Sequence, residues 1–211
     1  MLREICLIGA LAALAPRPVQ AQWVDLFNGK NLDGWQVIGD GVWGVMKNGV
    51  LVGDRRPRQS QQQSWLYTIR EFGEFDLQLE YWTKLGGNSG VSLRDQTRAR
   101  YAVMPDYDPQ RTPSHNGYEV QISNGYRDEY PSGSIYLFAK AKPEAQLPSD
   151  WNLLEIESRN EIMRVRLNGQ AVCEHPGDPA RPKVGPVGLQ LHDATSVVMF
   201  RNIRIREMKK R

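Results

Sequence analysis

The chain is poor in residues that cross-link or chelate. Among 211 residues there are two cysteines, Cys6 and Cys173, and three histidines, His115, His175 and His192. Cys6 falls in the N-terminal leader described below and sits in no lipidation context, so Cys173 has no partner and no internal disulfide is expected. A packed core must hold the fold, without covalent staples. Cys173 lies in the strand-like run 170–173 and reads as a small buried hydrophobe, not a nucleophile. Zinc-type spacings are missing, as are a G-x-S-x-G elbow and an H-E-x-x-H pair. Charge of one sign is lacking too: 27 Lys and Arg against 24 Asp and Glu leave a scattered +3, which gives a nucleic-acid partner no footing. The longest apolar run, residues 5–15, is about half of the roughly 20 residues that span a bilayer, so no membrane span is expected.

What is present is 40% hydrophobic residues, enough to bury the core of one domain. Residues 1–21 read as a secretory signal: Arg3, then the apolar run, then Pro16 and Pro18, then Val19-Gln20-Ala21 before a cleavage point. The mature domain is expected over 22–211, exported to the periplasm or secreted. From Trp23 onward, short segments of alternating polarity are separated by Gly, Asn, Pro and Asp, and no amphipathic helix stands out. Strands are predicted at 42–46, 50–52, 64–69, 75–83, 90–94, 118–123, 134–138, 151–158, 162–167, 170–173, 187–192 and 197–206. Asn48-Gly49 and Asn168-Gly169 each suit a two-residue type I′ hairpin turn. So many strands without crossover helices predict an all-β fold of two antiparallel sheets packed face to face. Three long connections, 95–116, 124–133 and 139–150, follow strands of one group and are predicted to rim a single site.

Period-two parity sorts the strands into a core face and an outer face. Val91 and Leu93, Tyr118, Val120 and Ile122, Ile135 and Leu137, and Val187, Leu189 and Leu191 take the core. The outer faces then carry Asn88, Ser92, Arg94, Glu119, Gln121, Ser134, Tyr136, Phe138, Lys140, Gln190 and His192. Arg, Gln and Asn suit the fixed geometry of sugar hydroxyls, and the rings of Tyr136 or Trp35 suit the apolar face of a pyranose. The glycines of Gly86-Gly87-Asn88-Ser89-Gly90 and Gly188 are expected to let a ligand approach the backbone. Glu119, mid-strand between apolar neighbours, is the candidate for proton transfer, with a salt bridge to Arg94 as its alternative. His192 is a second proton carrier, a ligand or a structural histidine. Asp106-Tyr107-Asp108 offers weak oxygen donors for calcium. A conventional glycosidase wants two facing carboxyl groups, and only Glu119 is expected on this face.

Taken in order, Trp23-Val24-Asp25-Leu26-Phe27-Asn28-Gly29-Lys30-Asn31-Leu32-Asp33-Gly34-Trp35, Gly86-Gly87-Asn88-Ser89-Gly90-Val91, Gly117-Tyr118-Glu119-Val120-Gln121-Ile122, Trp151-Asn152, Leu167-Asn168-Gly169, Gly185-Pro186-Val187-Gly188-Leu189-Gln190-Leu191-His192 and Phe200-Arg201-Asn202-Ile203 resemble the 3-keto-disaccharide hydrolase family over nearly the whole mature chain. The resemblance implies a concanavalin-like jelly-roll sandwich acting on glycosides already oxidised at C3. A C3 ketone acidifies the C2 proton, so one base suffices where a glycosidase needs two carboxylates. On that reading Glu119, His192 and Arg94 are catalytic: Glu119 or His192 is the base, and Arg94 and Lys140 face the enolate oxygen. Asn88, Gln121, Tyr136, Gln190 and Trp35 bind the sugar. No cofactor is required, although a divalent cation is a possible substitute for Arg94. Two positions depart from the family pattern: Ser123-Asn124 stands where a hydrophobic residue and Asp are usual, and Asp193 follows His192 where Gly is usual. A non-catalytic carbohydrate-binding module of the same fold, or a structural domain, are the alternatives; oligomeric state, linkage and aglycone are left open.

Overall fold

A computed structural model describes residues 21–55, 63–125 and 128–208; all of the predicted leader except Ala21 lies outside the described residues. The chain forms two antiparallel sheets. The larger runs β11 (Gln170–His175), β10 (Ile162–Leu167), β9 (Asn152–Arg159), β6 (Phe75–Thr83), β13 (Val197–Glu207), β4 (Leu51–Asp54) and β3 (Val42–Val45), with β1 (Val24–Asp25) on the same edge of β13 as β4. The smaller runs β2 (Trp35–Ile38), β5 (Ser64–Thr68), β12 (Val187–Leu191), β7 (Asn88–Leu93) and β8 (Tyr118–Ser123). Every pairing between these strands is antiparallel.

The core is the set of alternate residues that the two sheets turn toward each other. Leu77, Leu79 and Tyr81 of β6, Leu154 and Ile156 of β9 and Phe200, Ile203 and Ile205 of β13 meet Val91 and Leu93, Val120 and Ile122, and Val187, Leu189 and Leu191 from the smaller sheet, all buried in one cluster. A side chain of this size stabilises the fold by about 1.5–3 kcal/mol when fully buried. In β13 the alternation survives a register shift between Arg201 and Arg204, where Asn202 takes a φ of 52°. Trp35, read from sequence as a sugar platform, belongs to this core: it is buried, and its indole N–H donates to Leu26 O at 2.8 Å.

Two local expectations are corrected, and one long connection gains local structure. Residues 134–138 do not form a strand, because Ile135 bridges both Val120 and Ala139 around a tight turn in which Leu137 takes a φ of 70°. Ser134 is therefore buried, Leu137 is exposed, and Phe138 packs on Tyr118 and His175. Asn168-Gly169 does form a two-residue turn with both φ positive, but at Asn48-Gly49 only Gly49 is left-handed and its N–H closes the turn on Met46 O. That hairpin is a longer type I turn ending in a glycine bulge. Finally, residues 95–116 contain a 3-10 turn, Arg100–Ala102, and one turn of helix, α1 (Pro113–Asn116). Cys173 is half-buried against the core, and burial pushes its thiol pKa up.

Candidate active site

The outer face of the smaller sheet is the floor of the site. Antiparallel register sets Ser92 opposite Glu119, Gly90 opposite Gln121, Gly188 opposite both Tyr67 and Ser92, and Gln190 opposite Trp65. Because successive side chains alternate, these residues share one face. Over β5 the floor is closed: Trp65 and Tyr67 are fully buried with Ala99 and Ala102. Asp95 holds that cover down, accepting from Thr97 and Ala99 N–H groups at 3.0 and 2.7 Å and from the Tyr67 hydroxyl at 3.1 Å. Over β7, β8 and the end of β12 the floor is open, leaving a cavity of about 210 Å³.

Glu119 lies in this cavity and is only 4% exposed. Its carboxylate rests on the bare backbone of Gly90, where a Cβ would come within 2.4 Å of Oε1. Gly188 serves Tyr67 in the same way, a Cβ there lying 2.5 Å from the ring. The two strand glycines thus make room for neighbouring side chains, not for a ligand as expected from sequence. Burial raises the Glu119 pKa to about 7, against opposing pulls from His192 and the Gln190 amide. Among the described residues no Lys or Arg forms an ion pair with it. A carboxyl group without a cationic partner, poised near neutrality in a cleft, is suited to exchanging a proton.

Asn88, Gln121, Tyr136, Gln190 and His192 line the same cavity. Gln121 donates to Asn88 Oδ1 at 3.3 Å, the Tyr136 ring lies tilted against Tyr130 with centroids 4.9 Å apart, and the buried Gln190 Oε1 has no hydrogen-bond partner among the described residues. His192 sits just beyond β12 and is partly exposed, with Nδ1 3.9 Å from Asp193 Oδ2. Asp193, at the second departure from the family pattern, closes a turn by accepting from Thr195 N and Oγ1 at 2.8 and 2.7 Å. His192 and these bonds hold its carboxyl well below the usual range.

Arg94 and Lys140 are not part of this group. Arg94 follows the last residue of β7 with a φ of 62°, which breaks the alternation that placed it beside Glu119. Its guanidinium donates to Gly73 O at 2.9 Å, and its Cα packs on Gly185, away from the cavity lining. Lys140 is half-exposed, ion-paired with Glu129 at 3.1 Å and over the Tyr130 ring. Sequence reading missed other residues in the cavity: Gln63, and Tyr107, Pro109, Thr112, Ser114 and His115 of the 95–116 connection. The length and proline content of that segment were the only available signals. Loops 124–133 and 139–150 line a different hollow of about 240 Å³ that includes Ser123, Asn124 and Gln146.

The donor set does not fit a divalent cation. Among the described residues no three His, Cys, Asp or Glu side chains gather as ligands. Asp106 is tied to Arg100 at 2.7 Å, and Asp108 accepts from Gln110 N. A far larger depression, about 530 Å³, lies on the outer face of the eight-stranded sheet, lined by ion-paired residues such as Asp76, Glu157, Arg159, Arg164 and Arg206. Most of its charges are ion-paired, and its lining has no buried carboxylate with a raised pKa like that of Glu119.

A 3-keto-alpha-glucoside-1,2-lyase-like domain model matches residues 22–206. Two solved structures of candidate glycosyl hydrolases from Parabacteroides distasonis ATCC 8503 superpose on the chain. One is 26% identical, with a TM-score of 0.67, covering 89% of this chain and 100% of that one. The other is 20% identical, with a TM-score of 0.68 and coverages of 89% and 94%. The carbohydrate binding module CBM66 from Bacillus subtilis shares the fold at 16% identity, with a TM-score of 0.56 and coverages of 82% and 96%. No curated protein matches by sequence. None of the helices among the described residues is long and apolar enough to cross a membrane.

Proposed function

The chain belongs to the 3-keto-alpha-glucoside-1,2-lyase-like domain family, and from that premise we propose that it cleaves 3-keto-glycosides by removing the C2 proton with Glu119. The observation that carries the reading is the single buried carboxylate, with its pKa raised to about 7, in a polar cavity. A glycosidase working through an oxocarbenium ion needs a second carboxyl group roughly 5–9 Å away, and among the described residues no other Asp or Glu lines this cavity. Chemistry next to a ketone needs only one.

In the proposed reaction the C2–H bond breaks as Glu119 takes the proton, and its electron pair forms the C2–C3 double bond of an enolate. The enolate then collapses, the C1–O bond breaks, and the electron pair leaves on the aglycone oxygen. His192, beside Glu119 and more exposed, supplies the proton to that oxygen. Water adding across the resulting C1–C2 double bond completes hydrolysis; release before that step makes the reaction a lyase. Asn88, Gln121 and Gln190 present amides to the sugar hydroxyls, and Tyr136 offers a ring face. The leader read over residues 1–21 supports action outside the cytoplasm.

The test is to incubate the purified protein with a 3-keto-glucoside and follow loss of the keto-sugar chromophore, with Glu119→Gln and His192→Ala alongside. Turnover by the wild type that collapses in Glu119→Gln is expected. Equal rates in all three proteins remove the site assignment. No turnover, with sugar binding retained, replaces the enzyme with a carbohydrate-binding module.

A further inference from the structure

The proposed reaction leaves one requirement unfilled. As the C2 proton departs, negative charge builds on the C3 oxygen, and a donor aimed at that oxygen is where an enzyme of this type gains most. The cationic side chains expected there, Arg94 and Lys140, are elsewhere. We propose that His115, as a neutral imidazole, is the catalytic residue that donates Nε2–H to the C3 oxygen; this inference rests on the function proposed above.

His115 enters the cavity from α1 in the 95–116 connection, whereas Glu119 and His192 enter from the sheet. A base on the floor and a donor from the covering loop can therefore reach different substituents of one sugar ring. The imidazole is held at its other nitrogen: His115 Nδ1 is 2.9 Å from Thr112 Oγ1, which is 3.0 Å from Ser114 Oγ. Both hydroxyl residues are buried. In the proposed arrangement Ser114 donates to Thr112 and Thr112 donates to Nδ1, which leaves the N–H on Nε2, where no hydrogen-bond partner is found among the described residues. The turn is braced from behind by Arg181, whose guanidinium donates to Ser114 O at 2.7 Å and to Gly117 O, and lies 4.6 Å from the Phe138 ring centroid.

The ring also belongs in the neutral state. Desolvation and the nearby Arg181 cation lower the His115 pKa, with Asp108 opposing them. An ionised Glu119 and an uncharged His115 thus coexist above about pH 7. A neutral imidazole can serve as the electrophile in enolisation, as in triosephosphate isomerase. In this role His115 keeps its proton: the C2 proton goes to Glu119, and the C3 oxygen only accepts a hydrogen bond.

The experiment uses a 3-keto C-glucoside, whose C1–C bond cannot break, incubated with the full protein in deuterated buffer while NMR follows exchange of the C2 proton. Wild-type protein is expected to exchange it. His115→Phe is expected to exchange it about 100-fold more slowly with a dissociation constant within about threefold of wild type. His115→Gln, which restores an amide N–H near the Nε2 position, should recover to within about tenfold. Thr112→Val, which removes the hydroxyl on Nδ1, should slow exchange about tenfold. Exchange by wild type that is unchanged in His115→Phe overturns the role of His115 and leaves the function standing. So does a ring-nitrogen NMR spectrum placing the proton on Nδ1. No exchange by the wild type overturns both.

Discussion

The outer faces of the two sheets carry polar side chains at the same two-residue spacing, yet they solve opposite problems. On the eight-stranded sheet every acid of β6, β9 and β11 has a base. Asp76 accepts from Arg159 and Arg206 together, Arg164 bridges Glu157 and Glu174 at 2.6 and 2.8 Å, and Arg201 holds Glu80 at 2.6 Å. On the five-stranded sheet Glu119 is deeper than any of these, and its cavity is lined by amides, hydroxyls, histidines and tyrosines with no Lys or Arg among the described residues. Paired charges in partial contact with water make a stable wall. A desolvated carboxylate without a cation makes a reactive one, and its conformation is kept at some expense of stability.

The comparison breaks most sharply at Glu119 itself. Glu119→Gln should reduce turnover of a 3-keto-glucoside by about 10³-fold or more, measured as initial rate, whereas Asp76→Asn should leave the rate within about twofold. Next, Gly90→Ala puts a methyl group 2.4 Å from Oε1, displacing the carboxylate, and should reduce kcat/KM by about 10- to 100-fold, with a thermal midpoint within a few degrees of wild type.

The two faces should also separate in stability against pH. The folded Glu119 pKa of about 7 lies above the 4.5 of an ordinary glutamate, so the folded state binds more protons than the unfolded state between these limits. Stability contributed by this residue is then present below about pH 4.5 and is lost as pH rises through about 7, by about 3 kcal/mol. Denaturant unfolding of wild type and Glu119→Gln across that range should show the difference growing with pH and levelling above it; parallel curves would remove the buried, partnerless carboxylate from the account. Over the same interval kcat/KM of the wild type should rise as the base ionises. On the other sheet, Asp76→Asn should destabilise by about 1–2 kcal/mol, because two arginines lose a largely buried partner. Arg164→Ala, whose partners are solvent-exposed, should change stability by less than about 0.5 kcal/mol.

Parity made much of the floor legible from sequence. In β7, β8 and β12 one hydrophobic set is buried, so a single register is available and Asn88, Glu119, Gln121 and Gln190 follow from it. The same rule failed where the chain left regular φ. Arg94 at 62° and Leu137 at 70° each reverse the side that the next residues face, and nothing in Leu93-Arg94-Asp95 or Tyr136-Leu137-Phe138 announces a left-handed residue. Trp35 was misplaced for a different reason: an aromatic ring suits both a sugar and a core, and only tertiary packing chooses between them. The roof of the cavity was visible as a long proline-bearing segment but not as residues, because a loop has no period to sort Tyr107, Ser114 and His115 from their neighbours.

The position of β13 has a consequence for how such a chain comes into being. Its eleven residues, the last strand among the described residues, lie in the interior of the larger sheet, against β6 along one edge and against β4 and then β1 along the other. Until residues 197–207 emerge during synthesis, three strand edges wait without their neighbour, open to wrong pairings and to chaperones. The larger sheet is therefore completed only when β13 arrives, and a chain cut short before it would expose those edges instead of forming a smaller version of the same sheet.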